Sequence, residues 1–210
     1  MTQGYSTRRD HDLAAEDAVR LGGRLDLLAP QELTEAQRQI YDLISSEHMP
    51  KAEKSGYVGQ LPDGRVIGLY NVLLYSPELT MGLGAWMDGL SRSNLADEVR
   101  EVVILAVGAM WRSEYQLYAH AAIARQIGLS DKMIDAIKEE REPDGISADA
   151  VVAYRFTCSL LSQRRVDDDL YAQAVAAFTI PGIAALVHLI GLYQTVSALL
   201  NCFQVPAPSN

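Results

Sequence analysis

The sequence predicts a single all-α domain, a single-domain helical bundle of about seven or eight helices. Apolar residues recur at the i, i+3, i+4, i+7 spacing of a helix in several segments, as in 95–111. Residues that cap or end helices separate those segments, and no segment keeps the alternation of a half-buried strand. A length of 210 residues fits one domain, which we assign to residues 31–210.

Capping signals delimit the helices in order along the chain. Thr34 and Gln37 have the spacing of a capping box, in which each side chain satisfies a backbone N–H at the helix start. Pro77 suits a first helical turn, and Gly128 suits a left-handed helix end. Further start residues are Ser93 or Asn94, Ser130, Ser147, Asp167 and Pro181. The predicted helices span 35–47, 77–90, 95–111, 114–127, 131–140, 148–163, 168–178 and 181–203.

Two segments differ from this pattern. Residues 1–30 are charged and contain Gly22-Gly23, so we expect an N-terminal arm with at most one helix. Residues 48–70 hold four glycines and two prolines, which predicts a long loop between helices. Loops of that length often cover a site or contact another subunit.

Charge and composition narrow the possible partners. The chain has 27 acidic and 18 basic residues, a net charge of −9, and so is not expected to bind nucleic acid or anionic membranes. The apolar tract 180–200 is long enough to span a bilayer, but it contains Pro181, His188 and Gln194. A buried core helix is therefore the preferred interpretation, and no membrane partner is expected.

The two cysteines, Cys158 and Cys202, form no CxxC and no metal-ligand spacing with histidine. We therefore expect no metal, no cofactor and a reducing, cytoplasmic location, and the N-terminal residues do not resemble a secretory signal. A redox role for either cysteine is a further hypothesis, although neither cysteine lies near residues 98–128.

The segment 98–128 holds the best candidates for chemistry. Gln116 and His120 are four residues apart and share a helix face, and Glu101 lies on the preceding helix. A histidine beside a carboxylate can transfer protons near neutral pH. The alternative is that His120 is a hydrogen-bonded residue of the core or surface, as most single histidines on helices are.

This segment resembles the carboxymuconolactone decarboxylase family, whose superfamily includes the alkyl hydroperoxidase D (AhpD) proteins. That pattern is a glutamate, a gap, then C-x-x-C-x-x-x-H on a helix that ends in a Gly-Leu-Ser-like turn. Here the run is REVVILAV with Glu101, then SEYQLYAH at 113–120, then IARQIGLS. The likeness extends over roughly 76–205 and implies an AhpD-like helical bundle that forms a homo-oligomer, a trimer or hexamer.

Ser113 and Gln116 occupy the two cysteine positions of that pattern. Thiol peroxidase chemistry of the AhpD type needs two thiols, so it is disfavoured for this chain. Glu101 and His120 keep their positions, and the resemblance implies that they form a proton-handling pair.

Two functions remain open at this point. The first is a cofactor-free lyase acting on a small lactone or cyclic carboxylic acid, by decarboxylation or a related proton transfer, with His120 and Glu101 as catalytic residues. The second is a non-catalytic oligomeric or small-ligand-binding protein of the same fold. Tyr193, in the last helix, is expected in the core or in the site. Candidate substrate-binding residues are Glu114, Tyr118, Arg112, Arg65, Tyr70 and His188.

Overall fold

The computed structural model describes residues 20–209, and their regular structure is helical apart from one isolated bridge between Gln60 and Val66. This confirms the predicted all-α class. Most of the predicted arm, residues 1–19, lies outside the described residues. The α-helices are α1 Glu35–Leu43, α2 Met49–Ser55, α3 Leu69–Leu74, α4 Pro77–Ser91, α5 Asp97–Trp111, α6 Glu114–Gln126, α7 Asp131–Lys138, α8 Ala148–Gln163 and α9 Asp168–Cys202. A short 3-10 turn, Pro30–Glu32, precedes α1, and a π turn, Ile44–His48, joins α1 to α2.

Helix α5 lies at the centre of the fold. Ten consecutive or nearly consecutive positions of α5 are buried, which is the pattern of a helix surrounded by others rather than one lying on the surface. It packs against α6, α8 and α9, which supply most of the remaining core. Glu101 lies on this central helix, so its carboxylate is held inside the bundle.

The capping residues account for several helix boundaries. Thr34 and Gln37 form the predicted capping box, in which the backbone N–H of Gln37 donates to the Thr34 hydroxyl and the backbone N–H of Thr34 donates to the Gln37 side-chain oxygen. Ser130, Ser147 and Asp167 each accept a backbone N–H at the start of their helices. These bonds satisfy N–H groups that would otherwise lack partners in the first turn.

Two boundaries were predicted wrongly. Helix α5 is preceded by Ala96, not by Ser93 or Asn94. The Ser93 hydroxyl instead donates to the carbonyl oxygen of Leu90 over 2.7 Å, so it closes the preceding helix.

The second error concerns 48–70, which is not one loop. Pro50 lies in the first turn of α2, and Gly56, at φ 78°, ends that helix. Residues read as loop markers thus serve as helix boundaries, and only 56–68 are irregular.

The last helix, α9, is broken once. Thr179 has φ 60° and ψ 172°, and Pro181 follows as the helix resumes. The predicted division into 168–178 and a final helix is therefore confirmed. Of the described helices, α9 alone is long and apolar enough to cross a membrane by length and composition. It also packs on α5 and α8 with a buried face, as a core helix of a helical domain does.

The burial of α9 is one-sided. Only 28% of its most apolar 18-residue window is buried, and Ile180 and Val187 are exposed. The prediction of a buried core helix is thus correct for the face of α9 that carries Leu186, Leu189 and Ile190, and it is wrong for the opposite face.

Candidate functional site

Helices α5 and α6 bring Glu101 and His120 into contact. Nδ1 of His120 lies 2.8 Å from Oε2 of Glu101, and the two side chains are 15% and 11% exposed. With Nδ1 engaged by the carboxylate, Nε2 has no hydrogen-bond partner among residues 20–209. The contact therefore fixes the orientation of the imidazole and leaves its second nitrogen available to a ligand.

His120 lines a cavity of about 200 Å³. Most of the lining is apolar and comes from α1, the π turn, α3, α4, α6 and α9. The apolar lining residues are Ile40, Leu43, Ile44, Leu69, Leu73, Leu83, Met87, Ala119, Ile123, Val196 and Leu200. The polar or aromatic ones are His48, Lys51, Tyr57, Tyr70, Thr80, Tyr115, Gln116, His120 and Tyr193, with Gly84 completing the wall. A space of this kind fits a small ligand that is mostly apolar and carries a few polar groups.

Tyrosine hydroxyls supply much of the polarity of this cavity. The hydroxyls of Tyr57 and Tyr70 are 2.8 Å apart, and the Tyr115 hydroxyl donates to the carbonyl oxygen of Val58 over 2.9 Å. Burial raises the pKa of all three phenols above its ordinary value. They are consequently protonated at neutral pH, so each hydroxyl keeps a proton that it can donate in a hydrogen bond.

Tyr193 differs from these three. Its ring meets the ring of His120 edge to face, with centroids 5.0 Å apart. No described residue forms a hydrogen bond with its hydroxyl. Burial, and to a smaller extent the negative charge of Glu101, raises the pKa of Tyr193, so its O–H stays protonated at neutral pH. The Tyr193 hydroxyl is thus available as a donor beside the imidazole.

The two residues at the cysteine positions of the resembled pattern differ in their hydrogen bonding: Gln116 has partners and Ser113 has none among the described residues. The Gln116 side chain donates to the carbonyl oxygen of Ile104 over 2.9 Å and accepts from the hydroxyl of Ser197 over 2.8 Å. Its amide therefore ties α6 to α5 and α9. Ser113 is fully buried, and its hydroxyl has no partner among the described residues.

The predicted substrate-binding residues divide into one that lines the cavity and five that do not. Tyr70 lines it. Arg112 and Glu114 are exposed at the junction of α5 and α6, and Arg112 there has a left-handed backbone with φ 51°. Both lie outside the lining of the cavity that holds His120.

The other three predicted substrate-binding residues make contacts outside the cavity. Arg65 pairs with Asp63 over 2.7 Å, and the Tyr118 hydroxyl accepts from the backbone N–H of Val58 over 2.9 Å. His188 is exposed and packs edge to face on Trp86. Each of these side chains has a partner or a position that keeps it outside the cavity lining.

Sequence reasoning missed His48 and Lys51, because both lie in the segment assigned to a loop. Both line the cavity, and burial followed by the charge of Lys51 lowers the pKa of His48. A π turn, of the kind often found at functional sites, places His48 against the cavity. No pattern in the sequence announces such a turn.

Neither cysteine lines the cavity. Cys158 lies against Tyr154 in a separate pocket, where burial raises the pKa of its thiol, and Cys202 is exposed. Within residues 20–209 no three His, Cys, Asp or Glu side chains come together as ligands for a metal ion.

Solved structures share this fold at low sequence identity. An uncharacterized peroxidase-related protein from Ralstonia eutropha JMP134, with an alkylhydroperoxidase AhpD core, has a TM-score of 0.68 and 16% identity over 88% of this chain and 91% of that chain. A peroxidase-related protein from Silicibacter sp. TM1040 has a TM-score of 0.68 and 15% identity over 89% and 92%. The debrominase Bmp8, in a variant bound to 2,3,4-tribromopyrrole, has a TM-score of 0.62 and 12% identity over 84% and 92%.

No protein-family model matches the sequence, and no curated protein matches it. The likeness to the solved structures shows that the chain has the AhpD-like helical fold, which confirms the fold that the resemblance implied.

Proposed function

We propose that this chain is a cofactor-free enzyme that transfers a proton on a small lactone or cyclic carboxylic acid, as in decarboxylation. The observation that carries the proposal is the 2.8 Å contact between His120 and Glu101 in the wall of a mostly apolar cavity. A histidine oriented by a buried carboxylate is a common arrangement for general acid–base catalysis.

Three side chains have distinct roles in this proposal. Glu101 orients the imidazole of His120 through Nδ1, and Nε2 exchanges the proton with the substrate carbon. The hydroxyl of Tyr193 donates to the oxygen on which negative charge develops. Glu101 does not touch the substrate and is a positioning residue.

The chemistry balances without a further group from the protein. In a decarboxylation the electrons of the broken C–C bond pass to a conjugated carbonyl of the substrate, and carbon dioxide leaves. The resulting dienolate then takes a proton at carbon from protonated His120, which recovers a proton from solvent. Isomerisation and lactone opening would use the same acid and base.

A second candidate is a small-ligand-binding protein without turnover. The apolar lining favours it, because most of the groups around the cavity can only bind and cannot react. The position of the Nε2 nitrogen and the free Tyr193 hydroxyl favour the enzyme instead.

A ligand screen that is followed by an activity assay separates the two. Lactone and aromatic carboxylic acids are tested for a rise in melting temperature, since a ligand that binds the native state must stabilise it. Each hit is then assayed for carbon dioxide release and for a spectral change of the substrate. We expect His120→Ala to lower turnover by about 10²- to 10⁴-fold at unchanged folding.

The matched control is His188→Ala, since His188 is exposed and lies outside the cavity lining. This variant should keep full activity. Stabilisation without turnover would identify a ligand-binding protein, and equal activity of the wild type and His120→Ala would contradict the enzyme proposal.

A further inference from the structure

The lining of the cavity holds only one side chain with a permanent charge, that of Lys51. Among the described residues that form the wall, Lys51 is the only lysine or arginine, and no aspartate or glutamate is present. Lys51 takes part in no ion pair within residues 20–209. An unpaired ammonium beside apolar surface attracts an anion more strongly than a paired one in open solvent does.

Lys51 lies at the opening of the cavity. Leu43 and Lys51 both line the cavity and are exposed to solvent, so they mark its mouth. His120 is much less exposed and lies further inside. The interior between the mouth and His120 is bounded mostly by leucine, isoleucine and aromatic side chains.

The neighbouring lysine provides a contrast. Lys54 is on the same helix, α2, three residues further on, and is also exposed, but it is not part of the lining. Position on the helix, and not the basic character of α2, therefore distinguishes Lys51.

We propose that Lys51 binds the anionic group of the ligand and makes the cavity selective for anions with an apolar body. This inference rests on the proposed function in one respect, namely that the ligand occupies this cavity. The ammonium is a compact charge on a flexible stem and can follow the anion without a fixed geometry. His48, whose imidazole lines the cavity beside it, can add a hydrogen bond to the same group.

The placement also restricts the reaction. An anion held by Lys51 at the mouth is not the group on which His120 acts, because His120 lies further inside. The ligand therefore keeps that acidic group during the reaction. A decarboxylation at this site requires a second carboxylate on the substrate, whereas isomerisation and lactone opening require one.

The test uses probes that differ in charge and share a body. Benzoate, benzamide and benzylamine, together with the matching naphthalene acid, amide and amine, are titrated by calorimetry into the full chain. We expect the wild type to bind the acids about fivefold or more tightly than the amides. That preference should shrink as the salt concentration rises.

Three variants assign the preference to one side chain. Lys51→Met keeps an apolar stem and should abolish the preference for acids, and Lys54→Met should leave it unchanged. Lys51→Glu should reverse it, so that the amines bind most tightly. The reversal is a gain of binding that a misfolded variant cannot produce.

The outcomes separate this inference from the proposed function. Equal binding of acids and amides by the wild type, or an equal loss in the Lys51→Met and Lys54→Met variants, would overturn the anion site and leave the cavity intact. No binding of any probe would overturn both. Retained anion preference together with full activity of His120→Ala would overturn the enzyme proposal alone.

Discussion

The two sides of the cavity hold their polar groups in different ways. On the α6 wall, formed by Tyr115, Gln116, Ala119, His120 and Ile123, the key contact joins side chains of two neighbouring helices. On the N-terminal wall, formed by the lining residues between Ile40 and Leu73, positions depend on a π turn and on irregular backbone. The helical repeat thus determines where the polar side chains of the α6 wall lie, and local backbone geometry determines where those of the N-terminal wall lie.

The largest expected effect concerns the point where the two walls meet. Gly68 has φ 63° and ψ −140°, and a Cβ added there would overlap the ring of Tyr115. Gly68→Ala combines that overlap with a backbone conformation that suits glycine, so we expect it to destabilise the protein by about 3 kcal/mol or more. The free energy of unfolding in urea is the measurement.

Gly56→Ala is the matched control. Gly56 also has a positive φ of 78°, but an added Cβ there would meet no atom within 4 Å. A loss of about 1 kcal/mol is expected from the backbone alone. If both variants lost the same amount, the contact of Gly68 with Tyr115 would not hold the walls together.

A smaller effect is expected on the α6 wall. Glu101→Gln replaces the carboxylate that accepts from Nδ1 of His120, and the amide allows the ring to adopt the wrong tautomer. We expect turnover to fall by about 100-fold, the lower end of what general acid–base catalysis contributes, while binding of the ligand changes little. Steady-state kinetics that resolve kcat from KM would show this.

Glu114→Gln serves as its control, since Glu114 is an exposed glutamate on α6, the helix of His120, and lies outside the cavity lining. Its activity should equal that of the wild type. A loss of activity in Glu114→Gln as large as that in Glu101→Gln would show that general charge, and not the contact with His120, governs the rate.

The smallest effect distinguishes two tyrosines. The hydroxyl of Tyr115 has a backbone partner at Val58, so Tyr115→Phe should lower stability by about 1–2 kcal/mol. The hydroxyl of Tyr193 has no partner among the described residues, so Tyr193→Phe should change stability by less than about 0.5 kcal/mol.

Tyr193→Phe should nevertheless slow turnover by about tenfold or more, because it removes a donor to the developing oxyanion. Denaturation and kinetics on the same two preparations provide both numbers. A Tyr193→Phe variant that is destabilised yet fully active would place Tyr193 among the structural residues.

The sequence predicted the α6 wall because helical spacing carries the necessary information. Glu101 and His120 were placed on facing helices by periodicity, and the capping residues Thr34, Ser147 and Asp167 located helix starts correctly. These features depend on residues close in sequence or on a regular repeat. The fold class follows from the same information.

The N-terminal wall could not be predicted in that way. Lys51 lines the cavity because α1, the π turn and α2 follow one another without a break as helical backbone. In the sequence, Pro50 and Gly56 indicated a loop there instead. Arg65 and Tyr118 were chosen for their chemistry, but their partners, Asp63 and the backbone of Val58, depend on contacts that spacing does not encode. Tertiary packing determined which polar residues reached the cavity.

The two hydrogen bonds that α6 makes to the backbone of Val58 have a consequence for the rate of ligand binding. Tyr118 accepts from its N–H and Tyr115 donates to its carbonyl, so α6 holds the irregular segment 56–68 by both backbone groups. A ligand that enters past Leu43 and Lys51 then needs only side-chain rotations, which occur in picoseconds to nanoseconds, and not the slower opening of a loop. We therefore expect the observed association rate to rise linearly with ligand concentration and to reach no plateau set by a conformational step.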